Sequence, residues 1–151
     1  MEIIFNQPNI NNYNIFFKKP IKNQNEKFSY FYKLLYSNNI YSLKYLLINL
    51  DITNYTIIQE GYKHKLIGNM TEPFMKCIEK IEYTILNALK NNLKTKKNIS
   101  INLLNDLKSR GYIYIFNEPP DFDKIYLKIS GVWEDNTHIG LVYKICYNTS
   151  I

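Results

Sequence analysis

Between Phe16 and Tyr45, flat rings and lysines are interleaved: Phe16, Phe17, Lys18, Lys19, Lys22, Lys27, Tyr30, Tyr32, Lys33, Tyr41, Lys44 and Tyr45. An aromatic face stacks on a nucleobase and a lysine ammonium neutralises a phosphate, so the combination suits single-stranded nucleic acid held without sequence readout. The residues expected to make such contacts are Lys18, Lys19, Tyr30, Tyr32, Lys33, Tyr41, Lys44 and Tyr45, with Lys96 and Lys97 adding charge from a second basic run. A plainer reading uses the same residues. Half the rings would build the interior and the lysines would solvate the surface.

Other chemistries are more weakly written. Lys90, Lys94, Lys96, Lys97, Lys108 and Arg110 flank a helix, a connector and a second helix, but the connector lacks the tight turn of a helix-turn-helix. Glu118, Asp121 and Asp123, with Glu134 and Asp135 further on, are carboxylates of the kind that hold Mg²⁺ for phosphodiester cleavage. Their neighbours Pro119 and Pro120 point instead to an exposed loop. His64 and His138, the only histidines, form no zinc spacing with Cys77 and Cys146. The five glycines are dispersed, and Ser130-Gly131 lacks the first glycine of a nucleophile elbow. The expectation is a non-enzymatic protein with no metal and no cofactor.

The totals set the frame. A chain of 151 residues with 46% hydrophobic and 21% charged residues is most simply one domain, 1–151, able to bury a core. The formal charge of +6 favours an anionic partner. Of the 19 basic residues only Arg110 is arginine, and Lys, Asn, Ile, Tyr and Phe abound. An AT-biased genome produces that profile without selection for binding. Two cysteines are too few for a disulfide framework and read as free thiols in a reducing compartment. The start, Met1-Glu2-Ile3-Ile4-Phe5, has no basic leader, and no apolar run is long enough to span a bilayer. The expected setting is therefore intracellular: host cytoplasm, virus factory or nucleus.

The elements that must position these residues follow from periodicity. Short β-runs are expected at Ile3–Phe5 and Tyr13–Phe17, with a polar loop over 20–26. Longer strands, Phe28–Tyr36 and Ile40–Leu50, should be joined by Ser37-Asn38-Asn39, whose asparagines tolerate a left-handed turn. A strand pair, Tyr55–Gln59 and Tyr62–Ile67, breaks at Gly61. Thr71 caps a helix whose apolar positions Phe74, Cys77, Ile78, Ile81, Ile85, Leu86, Leu89 and Leu93 recur at three- and four-residue steps. Ser100 is expected to cap a short helix that stops at Gly111. Strands are expected again at Tyr112–Phe116, Lys124–Ser130 and Ile139–Tyr147, with Gly131 and Gly140 marking a bulge or a close backbone approach. Helices between β-rich ends imply an α+β fold with a mainly antiparallel sheet, of which an OB-like or partly open barrel is one form.

The stretch Lys128-Ile129-Ser130-Gly131-Val132-Trp133-Glu134, followed by Gly140-Leu141-Val142-Tyr143-Lys144-Ile145, resembles the closing hairpin of small single-stranded DNA-binding replication proteins encoded by DNA viruses and AT-rich plasmid-like elements. The resemblance implies a replication setting and single-stranded DNA as partner, with Trp133 either anchoring the hairpin or stacking at its rim. The competing expectation is a viral structural or assembly protein that acts through protein contacts, as a homo-oligomer for example.

Overall fold

The structure, a computed structural model, describes residues 3–6, 9–22, 29–50, 52–109, 112–115 and 125–147. Its frame is a long hairpin, β11 (Ile125–Glu134) against β12 (His138–Tyr147), closed by a tight turn. Asp135 builds that turn, its carboxylate accepting the backbone N–H groups of Thr137 and His138 at 2.8 and 2.7 Å. These two hydrogen bonds hold the Asp135 carboxyl below the usual carboxylate range.

Numbered in chain order, the other elements are β1 (Ile4–Phe5), β2 (Ile15–Phe17), β3 (Ile21–Lys22), β4 (Tyr30–Ser37), β5 (Ser42–Leu43), β6 (Leu46–Asn49), β7 (Ile52–Glu60), β8 (Lys63–Met70), α1 (Glu72–Leu93), β9 (Asn98–Ser100), α2 (Asn102–Ser109) and β10 (Tyr112–Ile115). The main sheet runs β1-β6-β11-β12-β9, and β4 joins it through β11 while pairing with β2, β3 and β5. One edge of β11 thus has two successive neighbours. Residues 126–129 pair with β6 and residues 131–134 with β4. The register shifts between Ile129 and Gly131, where the change of partner occurs. The sheet curls there into a half-barrel, as a bulge promotes. A smaller antiparallel sheet, β10-β8-β7, forms beside it.

The bulge has a second effect. Side chains alternate across a strand, so Ile125, Leu127 and Ile129 share the inward face of β11. The extra residue then shifts the parity, and Val132 and Glu134 face inward instead of Gly131 and Trp133. The unbroken β12 keeps Ile139, Leu141, Tyr143 and Ile145 on the core side. On this face lie α1 and α2. Thr71 Oγ caps α1 by accepting the Phe74 N–H at 3.4 Å, and Lys94, at a left-handed φ of 52°, ends it. Phe74, Ile78, Ile81, Ile85, Leu86 and Leu89 enter the core beside Leu34, Leu46 and Ile48. The mixed α+β architecture, mostly antiparallel with one long and one short helix, is the one the residue patterns imply.

Several local expectations need correction. Ile21–Lys22, expected in a loop, pairs with β4. The segment 40–50 is not one strand. Ser42–Leu43 closes the hairpin with β4, and after Lys44-Tyr45 the chain crosses to β11 as β6. No left-handed residue makes that hairpin turn. The Asn38 side-chain oxygen accepts the Ile40 and Tyr41 N–H groups, an Asx turn that substitutes for positive φ. Ser100 does not cap α2, because it lies in β9 and pairs with Gly140. β9 also occupies the connector between the helices, which removes the helix-turn-helix reading. Leu93, expected on the apolar stripe, is exposed. Glu118, Asp121, Asp123, Arg110 and Gly111 lie outside the described residues.

Candidate nucleic-acid interface

The two faces of the main sheet differ in what they display. Register places Phe16, Leu35, Lys33, Phe31, Ile21 and Trp133 together on the face turned away from α1. Phe16 is 50% exposed and Ile21 63%, while Phe31, Lys33, Leu35 and Trp133 are half-buried. Lys18 continues β2, its N–H donating to the Lys33 carbonyl at 2.9 Å, so Lys18 and Lys33 face each other across the strands. Further along the same face Lys128 lies opposite Lys144. Like charges directly opposed destabilise a sheet unless something negative lies between them. Residues 9–22 and 29–50 contain Lys18, Lys19, Lys22, Lys33 and Lys44 and no carboxylate at all. The face is not open throughout. Leu47, Tyr126 and Cys146, toward the far end of β11, are buried on it.

The expected contact residues separate under this geometry. Lys18, Lys19, Lys44 and Lys96 are exposed, and Tyr30 is partly so at the end of β4. Tyr32 corrects the expectation outright. It is 6% exposed, on the inward face of β4, and its hydroxyl donates to Glu134 Oε1 at 2.9 Å. Burial first, then that hydrogen bond and the adjacent carboxylate charge, push its pKa up to about 12. A ring so placed stacks on nothing from solvent. Lys97 is committed as well: its Nζ lies 2.9 Å from Glu134 Oε2, so the buried carboxylate joins a phenol on β4 to an ammonium from the connector before β9. Tyr41 is half-buried, its ring 6.5 Å from that of Tyr36. Tyr45 has Lys128 Nζ 4.3 Å above its ring, a cation–π contact that occupies one face of it.

Residues outside the expected set shape the site. Gly131 and Gly140 act as floors: a Cβ on Gly131 would come 2.3 Å from the Tyr32 carbonyl oxygen and 2.6 Å from the Phe31 ring. One on Gly140 would come 2.4 Å from the Trp133 indole. Behind the sheet, Glu82 is fully buried on α1 and accepts the N–H groups of Leu103 and Leu104 at 3.0 and 3.1 Å. It thereby caps α2 from another helix, satisfying donors that a helix start leaves orphaned. Its burial raises its pKa against the lowering by those two hydrogen bonds. The signal for Glu82 was in the spacing: it continues the 78, 81, 85, 89 stripe at a position where a leucine would be expected. Tyr143 donates to Asp106 from the neighbouring strand. Neither Cys77 nor Cys146 is in a disulfide, and burial raises the pKa of each thiol.

Comparison with models of known families, with characterised proteins and with solved structures finds no match to this chain. Its chemistry rests on its own residues. Among the described residues no three His, Cys, Asp or Glu converge as metal ligands. No helix among them is long and apolar enough to cross a membrane. An open polar cleft of about 450 Å³ lies between the asparagine-rich turn (Asn9, Asn11, Asn12) and the outer side of α1 (Lys80, Asn87, Asn91).

Proposed function

We propose that this protein holds single-stranded DNA, without cleaving it, on the face of the sheet opposite α1. What supports the reading is the facing pair Lys18 and Lys33, set among Phe16, Phe31 and Trp133, with residues 9–22 and 29–50 carrying lysines and no carboxylate. An anion between the two ammonium groups relieves their repulsion, and neighbouring rings offer bases an apolar surface. The resemblance of residues 128–145 to the closing hairpin of viral and plasmid-like replication proteins agrees with such a role. Lys97 and Tyr32 then serve the scaffold, while Lys18, Lys19, Lys33 and Lys44 supply the charge.

The test is a titration with oligothymidylate at two salt concentrations. Trp133, the single tryptophan, lies on the proposed face and reports binding by quenching. Affinity should fall with a log–log salt slope of about 0.7 per phosphate neutralised. An unchanged Trp133 signal together with no gel shift removes the reading. A second reading, assembly through protein contacts, draws on the exposure of Phe16 and Ile21. It predicts a stable oligomer in light scattering without nucleic acid.

A further inference from the structure

We propose that Phe31 and Trp133 are the base-stacking pair of this face, taking two successive bases of one strand whose phosphates meet Lys18 and Lys33. The inference rests on the single-strand reading above and names the rings that reading requires. Phe31 and Trp133 are directly opposite in the β4–β11 ladder, on the face turned from the core. Each leans over a glycine rather than standing upright. Phe31 Cε2 and Cζ lie 2.6 and 2.8 Å from where a Gly131 Cβ would be, and Trp133 Cζ2 and Cε2 lie 2.4 and 2.6 Å from a Cβ on Gly140. With any other residue at those positions the rings would be lifted or turned. Set over a glycine, each ring keeps part of its surface exposed, the Trp133 indole sharing the space at Gly140 with the Asn102 side chain, and both are half-buried.

The tyrosines expected to stack are less suited. Tyr32 is in the core, Tyr41 packs toward Tyr36, and Lys128 lies over Tyr45. Tyr30 is on the opposite side of β4 from Phe31. Directly paired residues have Cβ atoms about 4.5–5.5 Å apart. A single strand spans that by stretching modestly beyond its roughly 3.4 Å stacked rise. Lys33 lies opposite Gly131 and next to Lys18, at the phosphate side of such a pair.

The experiment measures anisotropy of labelled oligothymidylate with wild type, Phe31→Leu and Trp133→Leu, each matched to wild type by far-UV circular dichroism. Leucine keeps the apolar cover of the glycines and removes the flat face. Each leucine variant should bind about ten- to a hundredfold more weakly with an unchanged salt slope, whereas Phe31→Tyr and Trp133→Phe stay within about threefold of wild type. Tyr62→Leu, a change at the exposed β7–β8 turn, should leave affinity as it was. If wild type binds and both leucine variants bind equally well, the stacking pair is refuted while the single-strand reading stands. If wild type does not bind, the single-strand reading itself fails. Should a leucine variant unfold, loss of binding in folded Phe31→Tyr or Trp133→Phe also refutes the pair, because those changes keep the ring.

Discussion

The two faces of the main sheet are built by the same strands and share almost no chemistry. On β4, Tyr32, Leu34 and Tyr36 enter the core, while Phe31, Lys33 and Leu35 between them face away from α1. On β11 the division follows the bulge, with Val132 inside and Trp133 outside. The covered face is mostly apolar, and polar groups on it have named partners: Tyr32 and Lys97 hold Glu134, and Glu82 holds the start of α2. The open face puts lysines opposite lysines and rests rings on glycines. One face spends its residues on stability. The other accepts local repulsion between lysines, which an anion bound there would relieve.

That contrast sets an order of mutational effects. Ile85→Asp on the covered face should leave the chain unfolded in circular dichroism, since an unpaired carboxylate in an aliphatic core costs several kcal/mol at least. Glu82→Ala comes next, because two buried N–H groups lose their acceptor, and denaturant melts should show a loss of about 2–5 kcal/mol.

Glu82 also sharpens the contrast through pH. Its folded pKa lies above the ordinary glutamate value, so it favours folding when protonated. That contribution is present below the unfolded pKa and lost as pH rises through the folded pKa. Glu82→Gln should flatten that limb of the stability–pH curve, and an unchanged curve would mean the carboxyl is not desolvated. Gly131→Ala should cost about 1–3 kcal/mol, because the clashing atom is the Tyr32 carbonyl oxygen, which cannot swing aside as a side chain can. Phe16→Ser, on the open face, should move stability by no more than about 0.5 kcal/mol. A larger drop there would show that the open face is structural after all and erase the distinction.

Much of the architecture was legible in residue order. The 74–89 stripe with Thr71 before it could be only an amphipathic helix, and the alternation along Ile139–Ile145 only a half-buried strand. Gly131 and Gly140 were recognisable as places needing room. The candidate site was less legible. Tyr30 and Tyr32 lie two apart and look alike in sequence, yet it is the Tyr32 hydroxyl that donates to Glu134, 102 residues away, although Tyr30 is the residue paired with Glu134 in the ladder. Lys97 read as free charge for the same reason: its partner arrives through a β-ladder that no local pattern specifies. Trp133 could be placed on a face only once the bulge was located, because one extra residue inverts everything after it.

Local chemistry alone determined that this chain makes a mainly antiparallel sheet packed by one long helix, since periodicity and capping act over a few residues and need no distant partner. Which lysines face one another, which rings lie over glycines and which carboxylates are consumed inside depended on β4, β6 and β12 meeting β11 in one register. Those pairings join residues far apart in the chain, and only the closed sheet brings them within contact distance.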